Sequence, residues 1–211
     1  MFKLISAAPS PFARKVRVAL LEKSIPFELI TVNPWNSAAK VQIHNPLGKI
    51  PILIIDGQKP IYESSYILEW LEAKFPKPSL LPVGKEETLE AKYLQVICDG
   101  ICEAFVLLFI ERMREKNKRS TSWEGRQFHK IEGGLTELET IIPESGFCVG
   151  ASFTIADIAI VATVEYLSMR FEELRIREKF PRLASFSDFH GDRPSFKNTI
   201  PTPQQLNANV V

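Results

Sequence analysis

Three short stretches hold the residues of this sequence that could do chemistry together: Ser10-Pro11, Lys49-Ile50-Pro51 and Glu63-Ser64. Ser10 stands directly before Pro11, which puts a hydroxyl at a helix N-cap and proline at the first helical position. The turn Asn45-Pro46-Leu47-Gly48-Lys49-Ile50-Pro51 runs straight into the β-branched, apolar Ile52-Leu53-Ile54-Ile55. Proline has no N–H to give a sheet and is tolerated at a strand's first residue, where it leaves the main-chain groups of the residue before it free to meet something else. Only X-Pro bonds are commonly cis, which makes Ile50-Pro51 a candidate for a backbone edge turned toward a ligand. Glu63-Ser64-Ser65 opens another helix. Read singly, Ser10 and Glu63-Ser64 are also plain capping chemistry, and Pro51 an ordinary loop-to-strand junction. Read together, they describe two positive helix ends and an exposed main-chain edge facing one cleft, which suits an extended, anionic, peptide-like ligand.

The elements that must position these residues follow from periodicity. Phe2-Lys3-Leu4-Ile5 alternates as a short strand; Phe12, Val16, Ala19 and Leu20 recur at helical spacing up to Lys23; Phe27 to Val32 alternates again. Strand, helix, strand with a short crossover implies parallel pairing and a right-handed connection. A weaker helical stretch runs from Ser37 to His44, Asp56-Gly57 signals a hairpin, and Gln58 to Tyr62 returns as an antiparallel strand. The helix after Glu63 buries Ile67, Leu68, Leu71 and Phe75. Pro76, Pro78, Pro82 and Gly84 then break the pattern, and everything later is helical. Leu89, Tyr93, Val96, Ile97, Ile101, Ala104, Phe105 and Leu108 form the apolar stripe of a long helix, and Phe128, Ile131, Leu135 and Leu138 that of the next. Thr154 and Asp157 are spaced as a capping box, with Phe153 and Ile158 at staple positions, opening a helix apolar nearly all round. A last helix spans about Pro181 to His190, and no structure is expected beyond about Pro201. These boundaries give a sheet-bearing domain at 1–77, a linker at 78–85 and a helical domain at 86–211.

Composition narrows the function classes. With 26 Lys and Arg against 25 Asp and Glu in 211 residues, the net charge of +1 provides no field to attract nucleic acid or an anionic membrane. The basic run from Arg112 to Arg119 is offset by Glu111 and Glu115. Three cysteines, with Cys98 and Cys102 one helical turn apart, make no disulfide framework and point to a reducing, cytoplasmic setting. No charged-then-apolar leader opens the chain and no run of about 18 uninterrupted apolar residues occurs, so neither export nor membrane spanning is expected. Cys98 and Cys102 share a helix face without a completing His or Cys pair, and His44, His129 and His190 show no ligand spacing, so no metal is expected.

The ordered set Ser10-Pro11-Phe12-Ala13-Arg14-Lys15-Val16-Arg17, Asn45 to Pro51, Glu63-Ser64 and Thr154 to Asp157 resembles the cytosolic glutathione transferases over essentially the whole chain. The resemblance implies an α/β, thioredoxin-like N-terminal domain followed by an all-α helical bundle, with glutathione as co-substrate. It implies that Pro51 is the cis proline, that the Ile50 main chain meets the cysteinyl part of glutathione, and that Glu63 and Ser64 hold the γ-glutamyl amine and carboxylate. By the same resemblance Lys49 reaches the glycyl carboxylate, Phe12 adjoins the tripeptide and Ser10 lies beside its sulfur. Tyrosine-type members carry a phenol near the end of the first strand, where this chain has Ser6-Ala7-Ala8; cysteine-type members have Cys-Pro-Phe where it has Ser10-Pro11-Phe12.

A free thiol has a pKa of about 8.5, and lowering it by about two units takes roughly 2.7 kcal/mol of preferential thiolate stabilisation. A hydrogen bond to a charged group supplies about 1.5 to 3 kcal/mol, and a helix N-terminus about 0.3 to 1. Ser10 is therefore expected to donate to the thiolate and not to act as a nucleophile, since no His is placed to deprotonate it. The second substrate is expected to be a hydrophobic electrophile in a pocket formed by Phe12, Trp35, Phe105 and Phe109. Asp99 reads either as a residue reaching across a homodimer toward the neighbouring glutathione or as a solvated helix residue; Arg14 either orients a carboxylate near the site or is a surface cation. Conjugation leads, a glutathione-dependent isomerisation or peroxide reduction shares its chemistry, and a non-catalytic binding or regulatory protein on the same fold is the alternative from another class.

Overall fold

The computed structural model describes residues 1–35 and 41–204. The first unit comprises β1 (Phe2–Ser6), α1 (Pro11–Glu22), β2 (Phe27–Thr31), β3 (Ile52–Ile55), β4 (Ile61–Tyr62) and α2 (Ser64–Lys74). Its sheet has the order β2-β1-β3-β4. β1 and β2 run parallel, with Phe2 opposite Phe27 and Ser6 opposite Thr31, while β3 lies antiparallel to both β1 and β4. The return strand is shorter than the expected Gln58 to Tyr62, because Gly57 turns with φ +73° and Pro60 has no N–H to extend the ladder. The helical stretch expected from Ser37 to His44 begins outside the described residues.

The second unit is helical: α3 (Lys85–Met113), α4 (Thr121–Ile141), α5 (Ile155–Arg170), α6 (Ile176–Lys179), α7 (Pro181–Gly191) and α8 (Pro194–Lys197), with single 3-10 turns at Lys116–Lys118 and Glu172–Leu174. The one-turn helices α6 and α8 are too short to leave a periodic signature. α5 is the core helix. Thr154 caps it in a full capping box with Asp157, and Ile155 to Val164 are buried without interruption. α3 and α4 lie against each other closely at Gly134, where a Cβ would stand 2.5 Å from Ile101 Cγ1. α3 is the one described helix long and apolar enough in composition to cross a membrane; here Ala91, Leu94, Cys98, Ile101, Ala104, Phe105 and Leu108 are buried inside the protein.

The stripe expected on α3 divides in two. Ile101, Ala104, Phe105 and Leu108 are buried and Ile97 is packed on the core, whereas Leu89, Tyr93 and Val96 are exposed by 61%, 55% and 65%. Periodicity registers that a helix has apolar faces but not which of them its own chain covers.

α1 joins the two units through charged groups that sequence alone places on the surface. Arg14 is 1% exposed: it pairs with Glu165 of α5 at 2.7 Å, donates from Nε to Thr199 Oγ1 at 3.3 Å and lies 5.3 Å from the centroid of the Phe196 ring. Arg14 is thus neither a surface cation nor a site residue but a buried strut between units. Lys23 instead ties α1 to the end of its own unit, pairing with Glu72 and donating to the carbonyls of Phe75 and Pro78. Glu22 accepts from Arg193 Nε and Nη2 at 3.0 and 2.7 Å, and from the Ser195 hydroxyl. Burial by itself would raise the Glu22 carboxyl, but the hydrogen bonds from Arg193 and Ser195 outweigh it and hold the group below the usual carboxylate range. A carboxylate depressed in the fold stabilises it above its unfolded pKa, about 4.3, and loses that contribution as pH falls through the folded value. Thermal melts between about pH 5 and 3 should therefore show Glu22→Gln less stable than wild type at pH 5, with the gap closing toward pH 3; a gap constant with pH contradicts the assignment.

Candidate active site

One large cavity, about 890 Å³, opens between the sheet unit and the helices α3 and α5. Ser10, Phe12, Trp35, Lys49, Ile50 and Glu63 line it from one side, and Val106, Phe109, Tyr166 and Arg170 from the other. The first unit therefore supplies a polar ledge and the second a mostly apolar wall.

Ser10 is placed by the end of β1 and the start of α1. Its N–H donates to Ala7 O at 3.1 Å, and its Oγ accepts from Ala13 N–H at 3.2 Å, so the hydroxyl caps α1. Accepting from Ala13 uses an oxygen lone pair and leaves the hydroxyl proton available to an acceptor in the cavity. Capping and donation to an anion are thus compatible in one group.

Asn45 builds the Ile50 edge. It is 1% exposed; its Nδ2 donates to Lys49 O at 2.8 Å and its Oδ1 accepts from Leu47 N–H at 3.0 Å, while Gly48 supplies the turn's positive φ, +65°. The Ile50-Pro51 bond is cis, as expected. Pro51 starts the run into β3 from a buried position and Ile50 forms the wall. Neither the N–H nor the C=O of Ile50 has a hydrogen-bond partner among the described residues. Sequence reasoning included Asn45 in the motif but missed its role, which an Asn two residues before a free N–H could have signalled.

Glu63 sits at the N-cap of α2 with φ +74°, a conformation unusual outside glycine, and its carboxylate accepts from Ser64 N–H at 2.8 Å. Ser64, the next residue, is fully buried and is not among the residues lining the cavity. Its Oγ is buried and has no hydrogen-bond partner among the described residues. A strained backbone and an orphaned hydroxyl at adjacent residues are costs that a purely structural helix start does not require.

Four predicted residues, Pro51, Ser64, Phe105 and Asp99, are not among those lining the cavity, the first two lying buried beside residues that do. Phe105 is 1% exposed and stacks edge-on against Tyr166 and Phe171, at 4.9 and 5.1 Å between ring centroids. It supports the wall from behind; Phe109, one turn on, is the member of that pair that faces the cavity, because successive turns of one helix stripe shift around its axis. The Asp99 carboxylate is taken by Lys15 and by Ser65 Oγ at 3.3 Å, and Asp99 does not line the cavity of its own chain. Trp35, Phe12 and Phe109 do line it. Tyr166 and Arg170 also line the cavity, and sequence reasoning did not single them out.

None of Cys98, Cys102 and Cys148 lines the cavity. Cys98 and Cys102 are fully buried, and burial pushes both up, Cys102 to about 12. Cys102 contacts the Thr163 hydroxyl at 3.4 Å.

Residues 9–74 match the glutathione S-transferase N-terminal domain and residues 119–195 the glutathione S-transferase C-terminal domain. An uncharacterised GST-like protein of Escherichia coli K12, YibF, is 32% identical over 94% of this chain and 98% of its own length. A glutathione S-transferase from Methylobacterium radiotolerans, solved in complex with glutathione sulfonate, superposes with a TM-score of 0.96 at 50% identity, covering 100% of this chain and 99% of that one. Another from Methylobacillus flagellatus, with glutathione bound, gives 0.90 at 32% identity over 96% and 100% of the two chains. By sequence over nearly its full length and by fold, the chain belongs to the glutathione S-transferase family.

Proposed function

We propose that this protein is a glutathione transferase in which Ser10 holds the glutathione sulfur as a thiolate for attack on an electrophile in the apolar half of the cavity. The observation that carries the reading is the convergence on one cavity of a hydroxyl with a spare proton, the unpaired Ile50 main chain and Glu63, with the orphaned Ser64 hydroxyl buried next to it. In this reading Ile50 pairs with the cysteinyl backbone as a strand edge would, Glu63 and Ser64 hold the γ-glutamyl end, and Lys49 meets the glycyl carboxylate. Phe12, Trp35 and Phe109 shelter the electrophile. The same thiolate would serve isomerisation or peroxide reduction, so the second substrate decides which reaction is run. The domain boundary in this reading falls within 78–85, between the end of α2 and the start of α3.

Titration calorimetry with glutathione, followed by a chlorodinitrobenzene assay, tests the proposal. Micromolar to millimolar binding and turnover are expected; no binding and no turnover would favour the non-catalytic reading.

The exposed apolar face of α3 supports a homodimer. Leu89, Tyr93 and Val96 lie on a face of α3 that no described element of this chain covers. In sedimentation velocity the wild type is expected at twice the 23.9 kDa chain mass and Tyr93→Glu at the single mass. Equal values for both proteins would remove α3 from the interface.

A further inference from the structure

We infer that Lys15 is a positioning residue for glutathione: through Asp99 and Ser65 it fixes the start of α2, and Glu63 with it, against the helix that carries Ser10. This rests on the transferase reading above and assigns a residue that does not itself line the cavity. Lys15 lies on α1 and is 2% exposed. Its ammonium pairs with the Asp99 carboxylate of α3 and lies 5.8 Å from the centroid of the Phe12 ring, which lines the cavity. The other Asp99 oxygen accepts from Ser65 Oγ at 3.3 Å, and Ser65 stands in the first turn of α2. One ion pair and one hydrogen bond thus tie α1, α2 and α3 together.

Lysine is almost never buried unless it is paired, and a buried pair carries a desolvation cost that apolar side chains of similar volume avoid. Stability alone therefore does not account for Lys15, since an apolar contact would hold the helices as well. What the pair adds is direction: an ammonium and a hydroxyl on one carboxylate fix how the first turn of α2 sits on α1. That turn needs such a tie. Glu63 opens it with φ +74°, a conformation that persists only where its surroundings over-determine it. In the transferase reading the ledge has its sulfur end at Ser10 on α1 and its γ-glutamyl end at Glu63 on α2. One tripeptide meets both ends only while the two helix starts keep their spacing, and Lys15 holds that spacing from outside the cavity.

Two thiols that differ by the γ-glutamyl group test this, glutathione and cysteinylglycine, each with chlorodinitrobenzene as the electrophile. For Lys15→Met, kcat/KM should fall about 10-fold with glutathione, through KM, and less than about threefold with cysteinylglycine. Ser65→Ala cuts the link at its α2 end and leaves the buried charge pair intact. It should show the same selective fall, and it carries the test should Lys15→Met fail to fold. Equal falls on the two thiols, or no fall on glutathione, would make the link merely structural and overturn the inference. Wild type that turns over both thiols equally well overturns it while the transferase reading stands, since the γ-glutamyl end would then not be gripped. Wild type that binds no glutathione overturns both.

Discussion

Ser10→Ala is expected to lower kcat/KM toward chlorodinitrobenzene about 10- to 100-fold at pH 6.5, the value of one hydrogen bond to a charged group. The cause is a rise of about one to two units in the apparent pKa of the bound thiol. The deficit should therefore shrink as pH rises past about 8.5, where a free thiol ionises without help. The Ser10 oxygen also caps α1 through Ala13 N–H, so the variant should lose about 1 kcal/mol of stability as well. Affinity for S-methylglutathione, which has no ionisable thiol, should remain near wild type, separating thiolate stabilisation from tripeptide binding. Ultraviolet absorbance of the bound thiolate across pH is the direct measurement. An apparent pKa equal to that of wild type takes Ser10 out of the mechanism.

Asp157→Ala should destabilise the fold by about 3 kcal/mol or more, a large share of the 5 to 15 kcal/mol that holds a domain together. Asp157 is 0% exposed. One oxygen accepts from Cys148 N–H at 2.8 Å, and the other from Thr154 N–H at 2.7 Å and Thr154 Oγ1 at 3.0 Å. Burial pushes this carboxyl up while the Cys148 and Thr154 N–H groups pull it down. Removing it orphans two main-chain donors at the start of the core helix, and each buried orphan costs about 1 to 3 kcal/mol. Asn keeps the shape and one acceptor, so Asp157→Asn should lose roughly half as much. Urea unfolding followed by circular dichroism reads both, with an unchanged m-value expected because the surface exposed on unfolding is the same. A loss below about 1 kcal/mol for the alanine variant would mean that the box is dispensable.

What the residues announced by themselves was local. The Ser10-Pro11 cap, the Asp56-Gly57 hairpin, the Thr154-Asp157 box and the parallel pairing of β1 with β2 all depend on groups a few residues apart or on a short connection, and each stands in the structure as read. Dihedral preferences and capping bonds act over one turn, and a sequence displays them directly. Asn45, Phe105, Arg14, Tyr166 and Arg170 were misjudged or missed because their roles depend on what arrives from distant parts of the chain. Arg14 meets Glu165 and Thr199, Phe105 meets Tyr166, and the Arg170 guanidinium of α5 lies over the Phe109 ring of α3. Burial of a charge, the facing of a helix stripe and the convergence of two units on one cavity are properties of packing, and packing is fixed by long-range contacts that periodicity does not encode. The polar ledge was therefore legible in the chain, whereas the mostly apolar wall opposite it was decided by the fold.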